Sequence, residues 1–103
     1  MAQFDVYRHP VEEWRDLTPY VVDVQSSWVG GSELRLTVPL LRKTLDATDN
    51  RLYPQFQIKG ETLVFDTLSI VSYPAQDLRS PIASLLAEAG AVFSAIDFVL
   101  HGY

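Results

Sequence analysis

The sequence has no cysteine, few basic residues and no long apolar run, and each absence excludes a class of function. Without cysteine there is no disulfide framework, thiolate zinc site or thiol nucleophile. Eight Lys and Arg stand against 13 Asp and Glu, for a formal net charge of −5. Nucleic-acid binders usually carry a basic patch that displaces counterions. Here the basic residues are scattered, with Arg42-Lys43 the densest pair, so direct DNA or RNA binding is disfavoured.

The chain also lacks the signals of export and of membrane insertion. No apolar stretch approaches the length of a membrane span. The start, Met1-Ala2-Gln3-Phe4-Asp5, has neither the basic n-region nor the apolar h-region of a signal peptide. We therefore expect a cytoplasmic protein with no membrane contact. No repeat or Pro/Gly/Ser linker divides the chain, so we expect one domain over residues 1–103. A second copy would bury more apolar surface than so short a chain buries alone.

Alternating apolar and polar residues predict several short antiparallel strands. Lys59-Gly60 predicts a hairpin turn, and Pro39 predicts a strand end or an edge. His9 to Thr18 is predicted as a polar loop, and residues 27–32 and 46–50 as turns. The predicted strands are Gln3–Tyr7, Tyr20–Ser26, Glu33–Val38, Gln55–Ile58, Glu61–Phe65 and Thr67–Tyr73.

The last segment changes to the 3.6-residue period of a helix, with Ser80 as N-cap and Pro81 in the first turn. Phe98 lies opposite the apolar stripe, where it contacts either another part of the chain or a partner. The whole pattern predicts an α+β domain or a small antiparallel β-barrel, with a long C-terminal α-helix packed across it. The predicted core stripe consists of Ile82, Leu85, Leu86, Ala89, Phe93, Ile96 and Leu100.

Few residues suggest chemistry. Asp97 lies one helical turn before His101, so an acid–base nuclease is conceivable, but a helix-terminal histidine favoured by the helix dipole explains the same residues. No metal-ligand spacing, nucleophile motif or phosphate-binding loop is present. We therefore expect no catalytic residue, no metal and no cofactor.

Two apolar features suggest binding instead. Trp28 and Val29 stand in a predicted loop beside glycines, and tryptophan is enriched at binding hot spots. The alternative is that Trp28 folds back onto the core. The chain end, Leu100 to Tyr103, closes an amphipathic helix with an aromatic residue, whereas free chain ends are usually polar and fray.

Short segments along the whole chain resemble the CcdB family. The resemblance implies a small antiparallel barrel-like sheet with a long C-terminal helix, paired as a homodimer. It also implies a toxin of a plasmid-maintenance toxin–antitoxin system, which is not an enzyme. Such toxins bind the A subunit of DNA gyrase and trap it after DNA cleavage, until a partly disordered CcdA-like antitoxin neutralises them. The resembling segments are Gln3–Tyr7, Val22–Ser26, Thr37–Leu40, Leu52–Pro54, Ser72–Pro74, Ala95–Phe98 and Gly102-Tyr103.

Two contact surfaces are expected: a gyrase surface, which the resemblance implies, and an antitoxin footprint that can include the loop from His9 to Thr18 and the gyrase surface. The antitoxin footprint is expected on the polar loop, at His9, Glu12, Trp14 and Arg15, because a disordered partner wraps large surfaces. The gyrase surface is formed in the family by the helix end, the last residues and the loop after the second strand. Its positions here are Ser26, Trp28, Val29, Asp97, Leu100, His101, Gly102 and Tyr103.

The chain end departs from the family pattern. His101 stands where the family has a tryptophan that stacks on a gyrase arginine, and imidazole offers less area and a weaker π-face. Tyr103 and Trp28 can supply aromatic contacts instead. Two alternatives therefore stay open. One is a diverged member with weak or no gyrase binding, acting through antitoxin binding and autoregulation, and the other is a ribonuclease toxin of similar fold.

Overall fold

The computed structural model describes residues 2–29, 31, 33–42 and 51–102. Within these residues, seven strands form one antiparallel, barrel-like sheet, and one α-helix follows near the C-terminus. The predicted fold class is thus confirmed. The elements are β1 Asp5–Arg8, β2 Tyr20–Asp23, β3 Leu34–Arg42, β4 Gln55–Ile58, β5 Glu61–Phe65, β6 Val71–Pro74, β7 Ala83–Ser84 and α1 Ala89–His101.

The nine-residue strand β3 organises the sheet. One of its edges pairs with β2, and its other edge pairs first with β6 and then with β5. Pro39 lies between these two partners, where its carbonyl accepts a hydrogen bond from the Asp66 N–H at 3.0 Å. The prediction that Pro39 ends a strand or marks an edge is therefore wrong. A strand interior tolerates proline here because the missing N–H falls where β3 changes partner.

The β4–β5 hairpin is confirmed with the predicted boundaries. Lys59 and Gly60 both have positive φ, 51° and 82°, as a two-residue type I′ turn requires. On β4 the buried residues alternate, with Phe56 and Ile58 inside, whereas on β5 the last three residues, Leu63, Val64 and Phe65, are all buried. Local turn chemistry and the alternation on β4 therefore agree in this part of the chain.

Other boundaries differ from the predicted ones. β1 begins at Asp5 rather than Gln3, because Phe4 adopts a left-handed φ of 74° that interrupts the extended backbone. β2 ends at Asp23, and residues Thr67–Ser69 form a 3-10 turn before β6. The predicted turn at residues 46–50 lies outside the described residues.

The helix starts later than predicted. Ala83–Ser84 pairs with β1 instead of forming the first helical turn, and two flanking N–H groups also bond to the chain near β1. Ile82 donates to the Val6 carbonyl at 2.8 Å, and Leu85 donates to the Phe4 carbonyl at 2.9 Å. Ser80 and Pro81 therefore do not cap α1. A 3-10 turn at Leu86–Glu88 leads into the helix instead.

The phase of the apolar stripe was also wrong in part. Val92 and Ala95 form the fully buried face of α1, whereas Leu86, Phe93 and Leu100 are exposed. The segment is apolar on more than one side, so its period predicts a helix without identifying the core face. Val92 and Ala95 close the main core against apolar side chains of the sheet, such as Val6, Val22, Val38, Leu40 and Phe65.

Phe98 has a partner within the chain. The guanidinium carbon of Arg51 lies 4.7 Å from the centre of the Phe98 ring, within the range of a cation–π contact. Of the two interpretations, the intramolecular contact is the one the structure supports.

One buried ion pair crosses the sheet. Arg35 Nη2 lies 2.6 Å from Asp23 Oδ2, and the two side chains are 1% and 0% exposed. Arg35 Nε donates to the same oxygen at 2.8 Å, while the Gln25 N–H donates to Asp23 Oδ1 at 3.0 Å. The pair connects the end of β2 to β3 in a region without competing solvent.

Replacing one member of this pair is expected to destabilise the fold strongly. Arg35→Met should lower the free energy of unfolding by about 3–5 kcal/mol, because it leaves the Asp23 carboxylate buried without a counterion. Adding Asp23→Leu should restore most of the loss. Urea unfolding followed by circular dichroism measures both.

The exposed ion pair between Arg42 and Glu61 supplies the control. Glu61→Gln should cost less than about 1 kcal/mol, since solvent already screens that pair. An Arg35→Met chain as stable as the unmodified one would contradict the expectation.

Candidate functional site

The loop after β2 presents a tryptophan to solvent. Ser27–Val29 forms a 3-10 turn in which Trp28 is 96% exposed, so Trp28 does not fold back onto the core. Ser26 holds the turn, because its Oγ accepts from the Trp28 N–H at 3.1 Å and its carbonyl accepts from the Val29 N–H at 2.9 Å. The indole therefore stands on a locally ordered turn.

Gln25 ties this turn to the sheet. Its Nε2 donates to the Val29 carbonyl at 2.7 Å, and its Oε1 accepts from the Leu36 N–H at 2.9 Å. Its backbone N–H bonds the buried Asp23, as described above. No local pattern in the sequence predicts this role of Gln25, because Leu36 lies on a different strand and is 11 residues away in sequence.

The helix end presents a second exposed surface. Asp97, Leu100, His101 and Gly102 are all exposed. Gly102 has a φ of 79°, and its N–H donates to the Phe98 carbonyl at 2.9 Å, a left-handed helix cap that glycine favours. Tyr103, predicted to belong to this surface, lies outside the described residues.

In the part of the chain that the structure describes, the loop and the helix end of the predicted gyrase surface are not bonded to each other. Among the described residues, no hydrogen bond or ring contact joins Trp28 or Val29 to the end of α1. The helix packs instead on the 3-10 turn Thr67–Ser69.

The predicted antitoxin loop encloses a buried histidine. His9 is only 2% exposed, and its ring centre lies 5.3 Å from that of Trp14 and 5.7 Å from that of Tyr73. Its Nδ1 accepts from the Val11 N–H at 3.0 Å, and its carbonyl accepts from Arg15 Nε at 2.7 Å. His9 therefore supports the loop from beneath, whereas Glu12 and Trp14 face solvent.

The environment of His9 favours the neutral ring. Burial lowers the pKa of His9 below its ordinary value, and the positive charge of Arg15 lowers it further. Because Nδ1 accepts a hydrogen bond, the proton of the neutral ring sits on Nε2, which lies 3.5 Å from the Tyr73 hydroxyl. A cavity of about 480 Å³ opens beside this aromatic group, between Trp14 and Tyr73. Tyr73 is 64 residues away from His9 in sequence, so no local pattern predicts the contact between them.

The described residues form neither a metal-binding cluster nor a membrane-spanning helix. No group of three or more His, Cys, Asp or Glu side chains is placed to hold a metal ion in the described part of the chain. Over the same residues, no helix has the length and apolar character needed to span a membrane.

The fold defines a class: a small antiparallel β-barrel with a C-terminal helix, in which a loop and the helix end are exposed. The chain belongs to the CcdB family, since the family model described as CcdB protein matches residues 3–102. It is therefore a toxin of the CcdB type. No curated protein matches the chain.

The lowered pKa of His9 predicts a pH-dependent stability. Below about pH 6.5 the unfolded chain binds a proton that the folded chain resists. The contribution of His9 is therefore complete above pH 6.5, and it is lost as the pH falls from there through the lower, folded-state pKa. Urea unfolding at pH 7.5 and 5.5 should show this loss.

His9→Asn should flatten the dependence, since the Asn carbonyl can accept the Val11 N–H without titrating. His101→Asn should retain it, because His101 is exposed and far from the loop in sequence. Equal pH dependence in the unmodified chain and in His9→Asn would contradict the assignment.

Proposed function

We propose that this toxin binds the A subunit of DNA gyrase, traps gyrase after DNA cleavage, and performs no catalytic step of its own. The observation that carries the proposal is the exposure of Trp28 on an ordered loop after the second strand. This is the loop that contacts gyrase in the family that the chain resembles. An indole held in water gains much free energy when a partner covers it.

A mechanism based on contacts needs only differential affinity. A ligand that binds the cleaved state of gyrase better than the resealed state shifts the equilibrium toward cleavage, without taking part in the reaction. The exposed helix end supports this role, because Leu100 supplies apolar area beside the polar Asp97 and His101. We propose Tyr103 as the aromatic group that compensates for His101 at the stacking position.

We also propose that two copies form a dimer through the apolar face beside α1. Leu68 is 62% exposed in the turn that packs on the helix, and Ile70 and Leu100 are exposed as well. Exposed apolar groups on the helix and on the segment that packs against it favour association. A two-fold axis at this face would present both helix ends to a two-fold symmetric target such as the gyrase A dimer.

We propose further that a CcdA-like antitoxin binds the loop from His9 to Thr18. Trp14 is 57% exposed there and offers an aromatic contact, with Glu12 and Arg15 as polar neighbours. The same complex would serve autoregulation. The setting of all these contacts is the cytoplasm, where gyrase is found.

Gyrase binding can be tested with a matched pair of tryptophan variants. Trp28→Ala should weaken binding of the gyrase A dimerisation domain by about tenfold or more, since central aromatic contacts are worth about 2 kcal/mol. Trp14→Ala should leave this affinity unchanged. Isothermal titration calorimetry measures both, together with His101→Ala and a deletion of Tyr103.

A folded chain that shows no binding at micromolar gyrase would contradict the proposal. That outcome would favour a diverged member that acts through its antitoxin, which is the reading suggested by His101. Weakening by His101→Ala would instead show that the imidazole takes the place of the expected indole.

The dimer face makes a separate prediction. Leu68→Glu should shift the chain toward monomer at micromolar concentration, because it buries a charge at the proposed interface. Leu17→Glu, at another exposed leucine, should not. Sedimentation equilibrium distinguishes the two, and a chain that is monomeric without any substitution would rule out this interface.

A further inference from the structure

Three arginines line one cavity, and one of them, Arg15, also belongs to the antitoxin contact proposed above. Arg8, Arg15 and Arg79 line a space of about 380 Å³, together with Pro10, Asp77 and Ser80. Arg8 ends β1, Arg15 follows the 3-10 turn of the polar loop, and Arg79 follows the turn Ala75–Asp77. Three of the eight basic residues of an acidic chain therefore share one concave surface. The scattered sequence positions conceal this grouping.

The charges in this cavity are not neutralised by the protein. Arg15 is held in place by its bond to the His9 carbonyl. Arg8 and Arg79 are exposed, and within the described ranges neither forms an ion pair or a side-chain hydrogen bond. Asp77, the carboxylate in the lining, is not within ion-pair distance of any of the three. Several guanidinium N–H groups thus remain available to an oxyanion.

We propose that this cavity binds carboxylate side chains of an acidic peptide segment. Guanidinium groups bind carboxylates through paired hydrogen bonds, and three of them attract more than one carboxylate. The complementary charge is the first reason for an acidic ligand, since an anion relieves the repulsion among the arginines.

The surroundings of the cavity favour a peptide over a free ion. The loop that carries Arg15 also carries the exposed Trp14. Trp14 and His9 line the second, apolar cavity. A segment with acidic residues followed by an apolar side chain contacts both cavities at once. The inference deepens the proposed antitoxin contact, and rests on it for the identity of the partner.

Binding can be measured on the full chain by ¹⁵N NMR titration with three probes. The probes are a capped Asp-Glu-Glu-Leu-Leu peptide, its uncharged counterpart Asn-Gln-Gln-Leu-Leu, and inorganic phosphate alone. The acidic peptide should bind about tenfold more tightly than the uncharged one and lose affinity as salt is added. Its shifts should include the backbone amides of Arg8, Arg15 and Arg79.

The double variant Arg8→Gln/Arg79→Gln should reduce affinity for the acidic peptide by about tenfold. Lys59→Gln should not, because it removes one positive charge from the β4–β5 turn at the other end of the sheet order. A double variant that binds as the unmodified chain does would overturn the proposal. Phosphate that binds as tightly as the peptide and displaces it would make the cavity a site for free oxyanions, and would also overturn it.

A parallel titration with the antitoxin separates this inference from the proposed function. If Arg8→Gln/Arg79→Gln weakens antitoxin binding, both stand. If the antitoxin binds the double variant unchanged while Trp14→Ala weakens it, the loop contact stands and the acidic site is overturned as an antitoxin contact. If the acidic peptide binds its cavity but the antitoxin does not bind at all, the proposed antitoxin contact fails and the peptide site stands.

Discussion

The buried pair of Asp23 and Arg35 is the interaction on which the presentation of the contact loop depends. Removing two charges from water is costly, and hydrogen bonds offset that cost only in part here, because the buried Nη1 of Arg35 has no partner among the described residues. The second carboxylate oxygen bonds the backbone of Gln25, and the Gln25 amide then bonds Val29 and Leu36. A continuous set of hydrogen bonds thus runs from the core to the loop of Trp28. Rigid presentation would matter if Trp28 contacts gyrase as proposed, because ordering a loose loop on contact lowers affinity.

The parts of the fold that sequence predicts best are those decided by neighbours in the chain. The β4–β5 hairpin follows from alternation and from Lys59-Gly60, and both signals are local. The predicted start of the helix is wrong because Ser80 and Pro81 resemble an N-cap and a first helical residue. The backbone after them pairs with β1 instead, and that pairing is long-range. The prediction for Pro39 is wrong for the same reason. A proline is tolerated inside β3 because of where β5 and β6 pair with it, and both strands come later in the sequence.

The contact surfaces divide in the same way. A tryptophan beside glycines is a local signal, and it pointed to Trp28, although its exposure and its support by Gln25 needed the structure. The aromatic group around His9 and the arginine cavity join residues from distant segments, so neither composition nor spacing predicts them. The family resemblance predicts which positions form the surfaces. The structure describes how exposed the described residues at those positions are and what they contact.

The short strand β2 has a consequence for partners that compete. The loop with Trp14 leads into β2 and the turn with Trp28 follows it, and β2 contributes four of the eight residues, 19–26, that lie between them. A strand of that length spans roughly 14 Å, and hydrogen bonds to both neighbours keep the span constant. An extended segment anchored at the first loop therefore covers the length of β2 with about four or five of its own residues. Because β2 has a fixed length, a partner that is held at one loop would have a high effective concentration at the other.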